Sequence, residues 1–157
     1  MKLTTIGIDP GQTGAIACCH GSIITGVKDM PTWKRTHGKG QEVDPYSLTS
    51  ILMEMTAGKD CVHVYLEQVA AMPGQGVSST FHFGESVGVI LGVCGALQLP
   101  LLRITPQYWK KAAGLVGKDK DAARGLAIQR HPEVSDMLTR KKDVGRADAI
   151  LIAEFGR

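Results

Sequence analysis

The sequence lacks any uninterrupted apolar run of the roughly eighteen residues that a membrane span needs. The longest, residues 87–97, stops at Gln98 and Pro100. Nothing at the N-terminus reads as a signal peptide, because the chain enters an apolar strand pattern by Leu3. The four cysteines (Cys18, Cys19, Cys61, Cys94) show no CxxC spacing, which argues against zinc ribbons and thioredoxin chemistry. They read as reduced core residues of a cytosolic protein. There is no internal repeat, no low-complexity segment and no linker, so residues 1–157 read as one domain. No Ser/His/Asp or Cys/His arrangement is present, and His20, His63, His82 and His131 lack metal-ligand spacing. His37 lies among basic residues near Trp33, in a segment that reads either as a DNA contact or as a plain surface loop.

The net charge is only +3, but it is unevenly spread. Residues 101–146 hold eleven Lys/Arg against five Asp/Glu, while the other 111 residues hold seven against ten. A basic segment beside an acidic remainder suits a polyanionic partner, or simply a solvated helical face.

The pattern along the chain predicts strands first and then alternation. Strands are expected at 3–9, 15–20 and 22–28, the last two joined at Gly21 as a hairpin. Residues 29–43 read as a loop. Asp44-Pro45 reads as a helix start, followed by Leu48, Ile51, Leu52 and Met55 at amphipathic spacing. A strand at 61–67, a loop at 68–80, a helix at 81–97 and a strand at 100–104 follow. Three further helices are expected, one capped by Thr105-Pro106, one beginning in 117–131 and one at 145–155. This order predicts an α/β layer on a mixed sheet of five strands. The helix at 81–97 carries Gly84, Gly88, Gly92 and Gly95, each costing roughly 1 kcal/mol in a helix interior. The first three share a face, which permits close approach of another backbone, either within the fold or across a dimer axis.

Three carboxylates stand where a structural role is hard to supply. Asp9 ends the first strand, in IGIDPG; Glu67 ends the strand at 61–67, in LEQV. Asp148 has Leu151, Ile152 and Phe155 at i+3, i+4 and i+7, which puts it within an apolar stripe. A carboxylate buried there must be paired, protonated or bound to a cation. Taken singly, each has a plain reading: a turn aspartate, a strand-end charge, a salt-bridged helix acid. Taken together, converging carboxylates favour a hard divalent cation such as Mg²⁺ or Mn²⁺. Two such ions would suit phosphoryl transfer, with the basic segment holding a phosphate backbone.

Three motifs in order, IGIDPG (6–11), LEQV (66–69) and ADAILIA (147–153), with GESVGVILGVCGA, PLLRITPQYWKK and GKDKDAARGLAIQ between them, resemble RuvC-type Holliday-junction resolvases of the RNase H-like superfamily, of the phage type. The resemblance implies an RNase H-like fold, a mixed five-stranded sheet flanked by helices on both faces. It implies a Mg²⁺-dependent crossover junction endodeoxyribonuclease, with two ions per site and Mn²⁺ as a substitute. Such an enzyme works in DNA recombination and repair. Its homodimer binds four-way junction DNA, without a membrane, in the cytoplasm of a bacterial or phage-infected cell, and makes paired nicks. Asp9, Glu67 and Asp148 match the family's metal-binding acids, and Asp143 is the nearest acid for a fourth place that Gly145 occupies here. Lys110 and Lys120 match its basic DNA contacts; Lys111, Lys118 and Arg124 lie beside them. An aromatic expected at Ala70 is missing, which makes Met72 a candidate for stacking at the junction centre, with Phe81 and Phe83 also available. Two other readings stand beside this one. DPGQTG would also suit the phosphate loop of an actin-like nucleotide-binding domain, which normally needs a much longer chain. A junction-binding protein without catalysis would keep the fold but has no need of all three acids.

Overall fold

The computed structural model describes residues 2–157. A five-stranded sheet forms the centre, its strands lying side by side in the order Ile23–Asp29, Ala15–His20, Thr4–Asp9, Val62–Glu67, Leu101–Ile104. Strands β1 (Thr4–Asp9), β2 (Ala15–His20) and β3 (Ile23–Asp29) run antiparallel as a meander. β6 (Val62–Glu67) and β7 (Leu101–Ile104) add to β1 in parallel, so the sheet is mixed, as expected.

Strand alternation divides the core between the two faces. Ile6, Ile8, Ile16, Cys18, Val64 and Leu66 face one way, against Leu48 and Leu52 of α1 (Pro45–Thr56) and Ile90, Val93 and Cys94 of α2 (Val77–Ala96). Ala15, Ala17, Cys19 and Tyr65 face the other way. They pack against Trp109 of α3 (Pro106–Ala112), Ala123 and Ala127 of α4 (Lys120–Arg130), and the buried stripe of α5 (Val144–Phe155). Helices therefore cover both faces. All four cysteines are free, and Cys18, Cys19 and Cys94 are buried.

The helix starts are written in local chemistry. Asp44 accepts the N–H groups of Tyr46 and Ser47 at 2.9 and 3.2 Å, ahead of Pro45. Thr105 accepts from Tyr108 at 3.3 Å ahead of Pro106, and Asp119 accepts from Ala122 at 2.9 Å.

Three expectations need correction. Residues 29–43 are not a plain loop: β4 (Thr32–Lys34) and β5 (Gln41–Val43) pair as a small second sheet. Three-residue polar strands leave no alternation to detect. Helix α2 starts at Val77 rather than 81, because its first turn, Val-Ser-Ser-Thr, has the composition of a loop. Its 20 residues also make α2 long and apolar enough to cross a membrane by length and composition, which a count of unbroken apolar runs misses because His82 and Glu85 interrupt it. The glycine face of α2 is open. A Cβ added at Gly84, Gly88, Gly92 or Gly95 would meet nothing within 4 Å, so these glycines admit no close neighbour inside the fold.

Candidate active site

Helix α5 lies directly on β1. A Cβ at Gly7 would run into the backbone of Ala149 and Ala153, and Thr5 Oγ1 donates to the Ala153 carbonyl at 2.6 Å. Only glycine permits this approach, and the small Ala147, Ala149 and Ala153 complete the contact. Thr5, Gly7 and Asp9 alternate onto the α5 side of β1, so the same packing brings Asp9 up to the first turns of α5. Ile8 stands opposite Leu66 in parallel register, so Asp9 and Glu67 end adjacent strands. Glu67 follows Tyr65 onto the α5 face.

The first turn of α5 closes over Asp9. A Cβ at Gly145 would lie 2.7 Å from the Thr13 carbonyl and 3.3 Å from Asp9 Oδ2. Any side chain here would have to displace backbone. Arg146 anchors the same turn by a two-pronged pair to Asp29 (2.7 and 2.8 Å) and a bond to the Met137 carbonyl at 3.0 Å.

Burial and mutual repulsion dominate the electrostatics. Burial, then Asp148, then Glu67 push the Asp9 carboxyl up to about 8, with Lys110 opposing. Burial, then Glu67 push Asp148 up to about 7, against Lys110 and Lys120. Asp148 Oδ1 is buried and has no hydrogen-bond partner. Among the described residues, no three His, Cys, Asp or Glu side chains are drawn together tightly enough to hold an ion as they stand. Glu67 is oriented by Trp109, whose indole N–H donates to Glu67 Oε1 at 2.9 Å. An orphaned carboxylate oxygen and two carboxyls raised by burial and then by neighbouring acids are the features a divalent cation would relieve. The donor set is all oxygen, which suits Mg²⁺ or Mn²⁺.

A cleft of about 450 Å³ opens over Asp9 and Asp148. Its walls carry Lys110, Lys118, Lys120, Lys141 and Lys142, together with Thr13 and Asp119. Lys141 and Lys142 escaped the sequence reading as contacts; the adjacent lysines in a net basic segment were the available signal.

Other expected residues lie elsewhere. Asp143 does precede α5, but it is buried and turned away from the cleft. Its carboxylate accepts the Arg140 backbone N–H at 2.8 Å and the Arg140 guanidinium at 2.7 and 3.1 Å. Arg140 holds it down to about 2. Both oxygens are engaged, so the structure gives no support to a fourth ligand here. Arg124 is not free for a phosphate either: it forks onto Asp121 at 2.9 Å and donates to the Leu138 carbonyl at 2.8 Å. Lys111 is exposed on α3 outside the cleft wall. Met72 is exposed in the segment after β6, with its N–H on Gln75 Oε1 at 3.2 Å. Phe83 packs within reach of the Gly11 turn, whereas Phe81 is exposed.

A shallower groove runs from Pro10–Thr13 to Ser79, His82 and Phe83 of α2. Beyond it, Glu85 joins His82 (2.8 Å) to Arg35 (3.2 Å) of the β4–β5 hairpin. The hairpin leaves Lys34, His37 and Lys39 exposed at its end.

The architecture is that of RuvC. Thermus thermophilus RuvC matches with a TM-score of 0.56 at 15% identity, over 96% of this chain and 91% of that one. RuvC of the same organism in complex with Holliday junction substrate matches with a TM-score of 0.59 at 15% identity, over 96% and 90% of the two chains. The chain thus has the fold of RuvC, a mixed five-stranded sheet with helices on both faces. In sequence it is 36% identical over 92 residues to the chloroplastic Holliday junction resolvase MOC1 of Chlamydomonas reinhardtii. Those residues are 58% of this chain and 10% of the relative, so the chain spans about a tenth of the relative's length. No protein-family model matches the chain.

Proposed function

We propose that this protein is a structure-specific endodeoxyribonuclease that resolves four-way DNA junctions by Mg²⁺-dependent phosphodiester hydrolysis. The observation that carries the reading is the pair Asp9 and Asp148: two half-buried carboxyls, raised to about 8 and about 7, at the floor of a lysine-lined cleft. The RuvC-type fold and the stretch similar to a Holliday junction resolvase point to the same substrate.

Asp9, Glu67 and Asp148 would hold one or two Mg²⁺ ions, with Mn²⁺ as a substitute. A bound divalent ion would supply a water nucleophile at neutral pH and charge stabilisation for the leaving oxygen. The chain's own residues do the rest. Lys110, Lys118, Lys120, Lys141 and Lys142 bind the phosphate backbone and give affinity without sequence preference. The exposed Lys34 and Lys39 of the hairpin extend that basic surface. The close seat of α5 on β1 keeps Asp148 beside Asp9. The open glycine face of α2 supports a homodimer, the assembly that two nicks on one junction require.

The test is to incubate the protein with a synthetic four-way junction and with its linear duplex, with and without Mg²⁺. The reading expects paired nicks in the junction alone and only with the metal. Equal cutting of the duplex would contradict it.

A further inference from the structure

Trp109 is fully buried, yet it stands in contact with both charged halves of the site. Its indole N–H, a donor with no acceptor capacity, bonds Glu67 Oε1 at 2.9 Å. Lys110 Nζ lies 5.3 Å from the centroid of the same ring, within cation–π reach. Glu67 makes no other side-chain hydrogen bond among the described residues, so Oε2 is left without a protein partner. Core contacts around α3, α4 and α5 fix the ring, and the ring in turn fixes the carboxylate. A buried indole N–H needs an acceptor, so the contact serves both partners.

We propose that Trp109 is a positioning residue that holds the Glu67 carboxylate ready for a divalent cation, with one oxygen fixed and the other available. The proposal rests on the reading of Glu67 as a metal-holding acid. Outer partners of this kind orient ligating groups, and their loss typically lowers metal affinity or activity about 10–100-fold. A phenylalanine at 109 would keep the bulk of the ring and lose the donor.

The indole also offers a direct readout. The chain has two tryptophans, Trp33 and Trp109, so Trp33→Phe leaves Trp109 as the sole indole. Mg²⁺ alone, without DNA, is titrated into this protein while Trp109 emission and Tm are followed. The expected result is a saturable change in emission that tracks the rise in Tm and is lost when Glu67→Gln is added. Emission that stays constant while Mg²⁺ raises Tm would overturn the role of Trp109 and leave the nuclease reading intact. A change that survives Glu67→Gln would overturn it too. The expected response in a protein that leaves four-way junctions uncut would overturn the nuclease reading instead, and no effect of Mg²⁺ on either signal would overturn both. Trp109→Phe should raise the half-saturating Mg²⁺ about ten-fold or more. Should that variant not fold, the emission titration decides alone.

Discussion

Gly7 in β1 and Ala149 in α5 meet backbone to backbone, with no room for a side chain at position 7. This contact sets the depth at which α5 sits and so the distance at which Asp148 approaches Asp9. Gly7→Ala would force the helix off the strand. Overpacking of this kind costs about 1–3 kcal/mol. Denaturant unfolding should show that loss, and Mg²⁺ should stabilise the variant less than wild type. A fully stable Gly7→Ala protein with normal Mg²⁺ response would mean that α5 can shift without disturbing the site.

Asp143 contributes to the fold rather than to the cleft. Its carboxylate is held low, to about 2, by Arg140, so its stabilising effect is present above about pH 4 and is lost as the pH falls toward 2. Asp143→Asn should lower stability by about 1.5–3 kcal/mol at neutral pH, the range for hydrogen bonds to charged groups. The half-saturating Mg²⁺ for cleavage should stay within about two-fold of wild type. A stable variant with a strongly raised Mg²⁺ requirement would restore Asp143 as a ligand.

The two raised carboxyls act in the opposite sense. Asp9 and Asp148 hold protons in the folded state, at about 8 and about 7, that the unfolded chain releases near 3.8. Their contribution is therefore full below about pH 4 and disappears as the pH rises through 7 and 8. In EDTA, Tm should fall between about pH 5 and pH 8, and Asp148→Asn should flatten that fall. Mg²⁺ should restore Tm at the alkaline end, because metal binding favours the ionised ligands. Parallel curves for wild type and Asp148→Asn would show that Asp148 is not the source.

The glycine face of α2 predicts an interface. Gly88 has open space around it in the single chain, so Gly88→Leu meets no obstacle within the fold. Sedimentation should give a dimer for wild type and a folded monomer for the variant. A wild-type monomer at micromolar concentration would argue against the paired-nick reading, and an unfolded variant would place the glycines in internal packing.

The sequence made the three acids visible because each breaks a pattern. Asp9 and Glu67 end strands that are otherwise apolar, and Asp148 interrupts the stripe of α5. It could not reveal Trp109 as the partner of Glu67, since 42 residues separate them and only the parallel pairing of β6 and β7 sets α3 beside that strand end. Asp143 looked available because its partner Arg140 and the Leu138 carbonyl that takes Arg124 are set by the irregular turns between α4 and α5, whereas the Arg124–Asp121 pair is local to α4. The β4–β5 hairpin stayed hidden because its hydrogen bonds depend on register rather than on hydrophobic alternation.

The central claim is that the cleft over Asp9 and Asp148 is a metal-dependent nuclease site. It is tested most directly by the rate at which Asp9→Asn nicks a four-way junction in Mg²⁺, with junction binding measured alongside. Cleavage should fall by at least about 100-fold, because charge stabilisation at such a site is worth several kcal/mol, while binding through the lysines persists. An Asp9→Asn protein that nicks the junction at close to the wild-type rate would contradict the account.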